Sequence, residues 1–279
     1  VERSEVIRAI AVCPECLAEL HWSDSHARCS GCSRDYPIIE RVPRFTEAAA
    51  VDPFQAAVMA NDSWTARFYN AGRKVLSSEY MPIDHVGEFI RGLGPRQIAV
   101  ELGAGNRRLS EAVINLDLFP FENVDLVGSA EQTPIKSGSV DAVILDTILE
   151  HVPEPQKVVD EVFRILKPGG RAICLAPFIF PYHAYPRHYF NSSKDGLEYL
   201  FRRFTRCAVV TNMGPTSAVV NLVSDYFGLA ISNDNRFLYS LGKAIALVFT
   251  FFFKYLDVLW NRAERSRNLA SVLCATAQK

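Results

Sequence analysis

Ile98-Ala99-Val100-Glu101-Leu102-Gly103-Ala104-Gly105-Asn106 is the stretch that decides the fold. A short apolar run that ends in glycine reads as a buried strand feeding a tight turn. Glycine there frees the backbone for positive φ and lets a ligand approach the chain closely. By itself this signal is weak, and the order of the downstream segments strengthens it. Val113-Ile114-Asn115-Leu116-Asp117 reads as a second strand with a carboxylate at its end, able to accept both hydroxyls of a ribose. A third strand is expected over Val124-Asp125-Leu126-Val127-Gly128. Val140-Asp141-Ala142-Val143-Ile144-Leu145-Asp146 is nearly continuous in apolar residues, as in a strand covered on both faces. Residues 154–167 then carry helical spacing, with Val158, Val162 and Leu166 four apart and Val159 and Phe163 beside them. Lys167-Pro168-Gly169-Gly170 is expected to stop that helix, and a strand is expected over Arg171 to Ala176. Strands alternating with helices predict an α/β domain built on a mostly parallel sheet.

One spacing departs from that plan. Gly103 and Asp117 are only fourteen positions apart. A parallel crossover usually takes a dozen or more residues, so no first crossover helix fits. Asp117 to Val124 is shorter still. One face of the sheet is therefore expected to be partly bare, and another segment or another subunit has to cover it.

Toward the N-terminus, Cys13-Pro14-Glu15-Cys16 is followed after twelve residues by Cys29-Ser30-Gly31-Cys32. Two such knuckles aim four thiolates at one tetrahedral ion, so a structural Zn2+ site is read there. A redox dithiol would need one pair only. His21 and His26 lie inside the same module and are read as surface residues. The remaining thiols, Cys174, Cys207 and Cys274, fall in expected strands and read as buried. Residues 1–12 are charged throughout, without a long apolar core, so no signal peptide is read and a cytoplasmic location is expected. The 279 residues carry 30 basic and 31 acidic side chains and are 49% apolar, which is a globular composition. The basic excess usual in nucleic-acid binders is absent, so nucleic acid is not expected as a partner.

Taken in order, ELGAG, NLD, AEQTP, VDAVILDTILEHV and EVFRILKPGG resemble a class I S-adenosylmethionine-dependent methyltransferase of the methyltransferase type 11 group. The resemblance covers about residues 96–180, with the last strand of the sheet expected at 269–279. It implies a seven-stranded mixed sheet and S-adenosylmethionine as cofactor. It places the cofactor's methionine end over Glu101, Gly103, Gly105 and Asn106. The ribose falls on Asp117, the adenine-side loop on Ala130 and Glu131, and the methionine or the transferable methyl near Asp146. His151 falls beside the site. The first module, with Tyr36-Pro37-Ile38 and a closing Val42-Pro43, resembles the methyltransferase-activator zinc ribbons over about residues 6–46. Arg41 stands where a glycine is common in that turn. The resemblance implies a scaffold or substrate-side platform that draws folding energy from its metal. The domains expected are thus a ribbon over 1–46 and a methyltransferase domain over 47–279.

The loop Pro177-Phe178-Ile179-Phe180-Pro181-Tyr182-His183-Ala184-Tyr185-Pro186-Arg187-His188-Tyr189 resembles the acceptor-side loop of a subset of these enzymes. His183 and His188 are the candidate catalytic residues, since a histidine near neutral pKa suits a general base. Tyr182 and Tyr189 are candidates to line the acceptor. Residues 197–206 read as a helix, Cys207 to Thr211 as a strand, and 214–266 as an insertion. Within it, 237–260 is very apolar, but Lys243 and Lys254 bracket only ten uncharged residues, fewer than a spanning helix wants. Four readings stay open for it: a core helix over the bare sheet face, a homo-oligomer interface, a peripheral membrane contact, and a transmembrane span. The expected activity is methyl transfer to a small-molecule, sugar or lipid-linked acceptor. An RNA methyltransferase and a catalytically silent scaffold are the alternatives.

Overall fold

The computed structural model describes residues 2–46, 76–183 and 187–279. The stretch 47–97, with helical spacing at 48–60 and 64–76, is expected to be mostly helical; of it, 47–75 lie outside the described residues. Strands β5 (Ala99–Leu102), β6 (Val113–Asp117), β7 (Leu126–Val127), β8 (Val140–Asp146), β9 (Leu166–Pro177), β10 (Arg206–Met213) and β11 (Val272–Gln278) form one sheet. Its order is β10-β11-β9-β8-β5-β6-β7. Neighbours from β9 to β7 run parallel. β11 runs antiparallel to both β9 and β10. This is the seven-stranded mixed Rossmann-like sheet that the motifs imply. The chain order reverses at β5, which lies between β6 and β8, and ligands of open α/β sheets bind at the carboxyl ends of strands beside such a reversal.

Among the described residues, no helix lies between β5 and β6 or between β6 and β7. A helix satisfies its own backbone, whereas a short loop over a buried edge needs side chains to do so. Arg108 does this here. Its guanidinium donates to both oxygens of Asp125 at 2.9 and 3.2 Å, and to the carbonyls of Val113 and Asn123. The Asn115 amide, fully buried on β6, donates to the carbonyls of Arg107 and Asn123. A polar brace thus replaces two crossover helices.

One sheet face packs against α1 (Arg3–Ile10), α3 (Pro155–Ile165) and α4 (Lys194–Leu200) in a single apolar cluster. α3 starts on Pro155, whose missing N–H costs nothing in the first turn, and buries Val158, Val159, Val162 and Ile165. Each of these contributes about 1.5–3 kcal/mol by leaving water. The helix ends at Ile165, and the glycine tetrad belongs to β9, with Gly169 at φ +76°. On the other face, Val86 of α2 (His85–Arg91), with Phe89, Ile90 and Leu93, covers Ala99, Val113, Ala142 and Ile173. The helix expected over 197–206 instead runs Lys194–Leu200, because Ser193 caps it by accepting from the Gly196 N–H.

The N-terminal module is a separate antiparallel sheet of β1 (Leu20–Trp22), β2 (His26–Cys29), β3 (Asp35–Ile39) and β4 (Val42–Pro43). It is joined to the larger sheet at the β7 edge. Arg44 forms a parallel bridge to Val127, and the Phe45 N–H donates to the Val127 carbonyl at 2.8 Å. The Val12 N–H donates to Pro134, and the Lys136 N–H to Ile10.

The insertion is a helical hairpin of α5 (Pro215–Ser232) and α6 (Arg236–Thr250), continued by Phe251–Leu256 and Asp257–Trp260. α6 packs on α5 and its continuation rather than on the sheet. The bare face is therefore covered, among the described residues, by α2 and not by 237–260.

Candidate active site

At the carboxyl ends of β5, β6 and β8 lies a cavity of about 610 Å³. The glycine turn forms its floor. Gly103 has φ +74°, and a Cβ there would stand 2.4 Å from the Ile148 side chain. Gly105 has φ +58° and open space where its Cβ would be, which leaves the backbone bare toward the cavity. Asp117 holds this turn in place: its carboxylate accepts from the Gly105 N–H at 2.8 Å and from the Phe119 N–H at 2.9 Å. Burial raises the Asp117 pKa, although those N–H groups favour the charged form. Asn106, Ala130, Glu131, Asp146 and His151 share the cavity wall with them. Phe119 and Phe121 add an apolar side, 5.7 Å apart between ring centroids.

Glu101 lies beneath the cavity, fully buried. Arg107 bridges it to Asp146, with 2.9 Å to Glu101 Oε1. Burial pushes the Glu101 carboxyl up to about 7, against the pull of Arg107 and with help from the Asp146 and Asp117 charges. Its Oε2 has no hydrogen-bond partner, and neither has Glu131 Oε1. These two buried acceptors fit a ligand that brings donors to both: an ammonium to one and an amine or hydroxyl to the other.

The residues expected on the acceptor side gather beside His151. The ring centroids of His183 and His188 are 4.4 Å apart, and those of His151 and His183 are 5.4 Å apart. Tyr182 is 75% exposed and stacks on His188. Tyr189 is exposed, and its N–H donates to the Glu150 carbonyl at 2.7 Å. Glu150, 2% exposed, faces His183 and His151 with its carboxylate. That carboxylate raises the His183 pKa, outweighing the effect of half-burial. Two residues escape a sequence reading here. Arg107 follows the glycine turn but carries no motif signal. Glu150 lies within Leu149-Glu150-His151, where its burial is not legible.

In the ribbon, Cys13 Sγ lies 3.6 Å from Cys32 Sγ, and Cys16 Sγ 3.4 Å from Cys29 Sγ. All four sulfurs fall within 4.8 Å of one another. Disulfide sulfurs stand at about 2.0 Å, whereas thiolates sharing one tetrahedral ion with bonds of about 2.3 Å stand nearly 4 Å apart. The Gly31 and Cys32 N–H groups donate to Cys29 Sγ, as in a metal knuckle.

Residues 92–174 match the family profile described as a methyltransferase domain. That stretch, under a third of the chain, is similar to methyltransferase domains. It is 26% identical over 172 residues to a 37.1 kDa protein of transposon TN4556 from Streptomyces fradiae, covering 59% of this chain and 48% of that one. It is 36% identical over 110 residues to the ubiquinone/menaquinone biosynthesis C-methyltransferase UbiE of Bartonella bacilliformis, covering 39% of this chain and 35% of that one. The chain thus spans about half or less of the length of these relatives. Among solved structures, phosphoethanolamine N-methyltransferase 2 of Haemonchus contortus aligns with TM-score 0.47 at 15% identity, over 85% of this chain and 61% of that one.

Proposed function

We propose that this chain transfers the methyl group of S-adenosylmethionine to a small-molecule acceptor that enters past Glu150, His151 and His183. The observation that carries this reading is the cavity over the Gly103–Gly105 turn, with the unpartnered Glu101 Oε2 beneath it and the unpartnered Glu131 Oε1 in its lining. Glu101 and Asp146 would hold the cofactor's ammonium, a place that Arg107 now occupies with its guanidinium. Asp117 would accept the ribose hydroxyls through lone pairs that its two backbone N–H partners leave free. Ala130 and Glu131 would border the adenine.

The bound sulfonium supplies an electrophilic methyl. The protein's own task is to place an acceptor lone pair opposite the leaving sulfur and to exclude water. Any proton on the acceptor atom leaves toward the cluster of Glu150, His183 and His188. The similarity to the UbiE enzyme supports a small-molecule acceptor by analogy alone. The near-zero net charge weighs against the RNA alternative.

The four ribbon thiolates would hold one structural zinc ion, and a reducing, cytoplasmic compartment suits them. Calorimetric titration with S-adenosylhomocysteine tests the whole reading. Wild-type protein is expected to bind it, and Asp117→Ala to bind at least about tenfold more weakly. A wild-type protein without measurable binding would leave only the silent-scaffold alternative. A salt-sensitive gel shift on ribosomal RNA would favour the RNA reading.

A further inference from the structure

We propose that Glu150, His151 and His183 form a binding site for one divalent transition-metal ion, beside the cofactor cavity and distinct from the ribbon cysteines. One donor atom from each of the three side chains lies within 4.8 Å of the others. Glu150 is 2% exposed, and neither of its carboxylate oxygens has a hydrogen-bond partner. A buried carboxylate left so is costly unless a cation meets it.

The two histidines are oriented to supply lone pairs there. His151 Nδ1 lies 2.6 Å from the Arg187 carbonyl, and His183 Nδ1 lies 3.1 Å from the Pro181 carbonyl. A carbonyl only accepts, so each Nδ1 carries the proton and each neutral ring keeps its lone pair on Nε2. Backbone carbonyls commonly fix metal-binding histidines in this way. The two Nε2 atoms lie 3.9 and 3.8 Å from Glu150 Oε1. These spacings are too long for hydrogen bonds and leave room for an ion bonded at about 2.0–2.2 Å to each donor.

Two imidazoles and one carboxylate suit zinc, iron, cobalt or manganese better than magnesium or calcium, and leave positions open for an acceptor oxygen. His188 is not a ligand. Its Nε2 lies 2.8 Å from Asn191 Oδ1, and its Nδ1 accepts from the His183 N–H. His151 also borders the cofactor cavity, so an ion here would orient the acceptor and acidify its hydroxyl. That last role rests on the methyl-transfer reading; the metal site itself does not.

Titration of the metal-free full chain with Co2+ tests the site. Thiolate ligands give sulfur-to-cobalt charge-transfer absorption, and an imidazole–carboxylate site gives ligand-field bands alone. Wild-type protein is expected to take up two equivalents, one of each kind. Glu150→Gln and His183→Ala should each weaken the second equivalent by at least about a hundredfold. Cys13→Ser should lose the thiolate signal and keep the other, and His188→Ala should keep both. S-adenosylhomocysteine binding in the same samples reports folding and the cofactor site independently. A single, purely thiolate equivalent in wild-type protein overturns the proposal, leaving Glu150 and protonated His183 as an ion pair. Two equivalents in both Glu150→Gln and His183→Ala overturn it as well.

A different observation carries a second inference. We infer that the α5–α6 hairpin inserts into a lipid bilayer. Its packing is inverted relative to a helix pair in water. The stripe Ser217, Asn221, Ser224, Gly228 and Ser232 of α5 is buried against its neighbours. Large apolar side chains point outward: Tyr226 is 69% exposed, Leu229 64%, Phe237 74% and Phe249 70%. Soluble amphipathic helices do the opposite, and small and polar residues between helices are the membrane pattern.

The glycines allow the close approach. A Cβ on Gly228 would stand 2.9 Å from the Tyr239 carbonyl, and one on Gly242 2.7 Å from Ile231. Asp225 and Lys243 neutralise each other between the helices at 2.8 Å. The helical run Arg236–Trp260 has 25 residues, of which the most apolar stretch is only 17% buried. Its α-helical part, Arg236–Thr250, is about 22 Å long, enough to enter about 30 Å of hydrocarbon without crossing it, while Lys254 and Asp257 beyond it are held by Ser77 and the start of α5. Just past Trp260, Arg262 and Arg265 are exposed, where anionic headgroups would meet them.

Flotation with phosphatidylcholine vesicles, with and without phosphatidylglycerol, tests this. Wild-type protein is expected to float, more so with the anionic lipid. A variant with Leu229→Ser, Phe237→Ser and Phe249→Ser should partition at least about tenfold less while still binding S-adenosylhomocysteine. Wild-type protein that stays with the lipid-free fraction overturns the inference. So does a dimer in sedimentation that the triple variant abolishes, since a second copy then covers the hairpin.

Discussion

Glu101→Gln is the substitution whose effect the structure sets most sharply. Burial raises the Glu101 carboxyl from its ordinary 4.5 to about 7. Folding therefore opposes its ionisation. The charged form carries no penalty below about pH 4.5, where the group is protonated in both states, and the full penalty above about pH 7. That separation corresponds to about 3 kcal/mol of stability lost as pH rises through the window. Glutamine keeps the shape and cannot ionise. Losing the Arg107 ion pair adds a cost to the variant, but the difference between variant and wild type should still move in the variant's favour by about 3 kcal/mol from pH 4.5 to 7.5. Urea unfolding of both proteins across that range measures it. The slopes due to the ribbon cysteines are common to both and cancel. A difference that stays flat with pH would refute the placement of a strained carboxylate under the cavity. On the proposed function, a bound ammonium would favour ionised Glu101, so binding near pH 6 should release a proton. Calorimetry in buffers of different ionisation heat reads that release, and Glu101→Gln should show none.

On the proposed zinc site, a chelator or Cys13→Ser should lower the melting temperature and also weaken S-adenosylhomocysteine binding about tenfold, because Gln132 Nε2 donates to the Pro14 carbonyl at 2.9 Å and ties the N-terminal module to the loop of Ala130 and Glu131. Unchanged affinity in the zinc-free protein would uncouple the two modules. Gly103→Ala should cost about 2–4 kcal/mol of stability, from positive φ and the clash with Ile148. Gly105→Ala, with no neighbour in its way, should cost about 1 kcal/mol and act mainly on cofactor affinity; chemical denaturation and calorimetry on both variants separate the effects. Arg108→Met should cost about 1.5–3 kcal/mol, since it removes the closest cation from the largely buried Asp125 carboxylate and leaves it Arg3 at 3.4 Å and the Asn115 N–H; a loss under about 1 kcal/mol in denaturation would show that the loops do not depend on the brace.

Much of this site is legible in the chain because it is local. Gly103, Gly105 and Asp117 act within one strand–turn–strand unit, and the Asp117 carboxylate bonds a backbone N–H of that same turn. The cysteine knuckles are equally local. Arg107 and Glu150 are not legible, because their importance comes from partners brought in by other strands. Arg107 matters through Asp146, on β8, and Glu150 through His183, which lies beyond β9. The helix read over 197–206 shows the same limit in another form, since a cap at Ser193 starts it earlier than side-chain spacing suggests.

The sequence by itself determined the alternation of strands and helices, the glycine turn, the strand-end acid and the four-thiolate spacing. It also determined that two crossover helices could not form, since loop length alone forbids them. Tertiary structure alone decided what replaces them: an arginine brace across the loops, and α2 on the exposed face. It also decided where the apolar insertion goes. Composition shows that α6 is apolar but not which way its side chains point. Only the pairing with α5, through glycine and small polar residues, turns most of the large side chains outward, because the close contact leaves room between the helices for few of them, Tyr239 on Gly228 and Ile231 on Gly242.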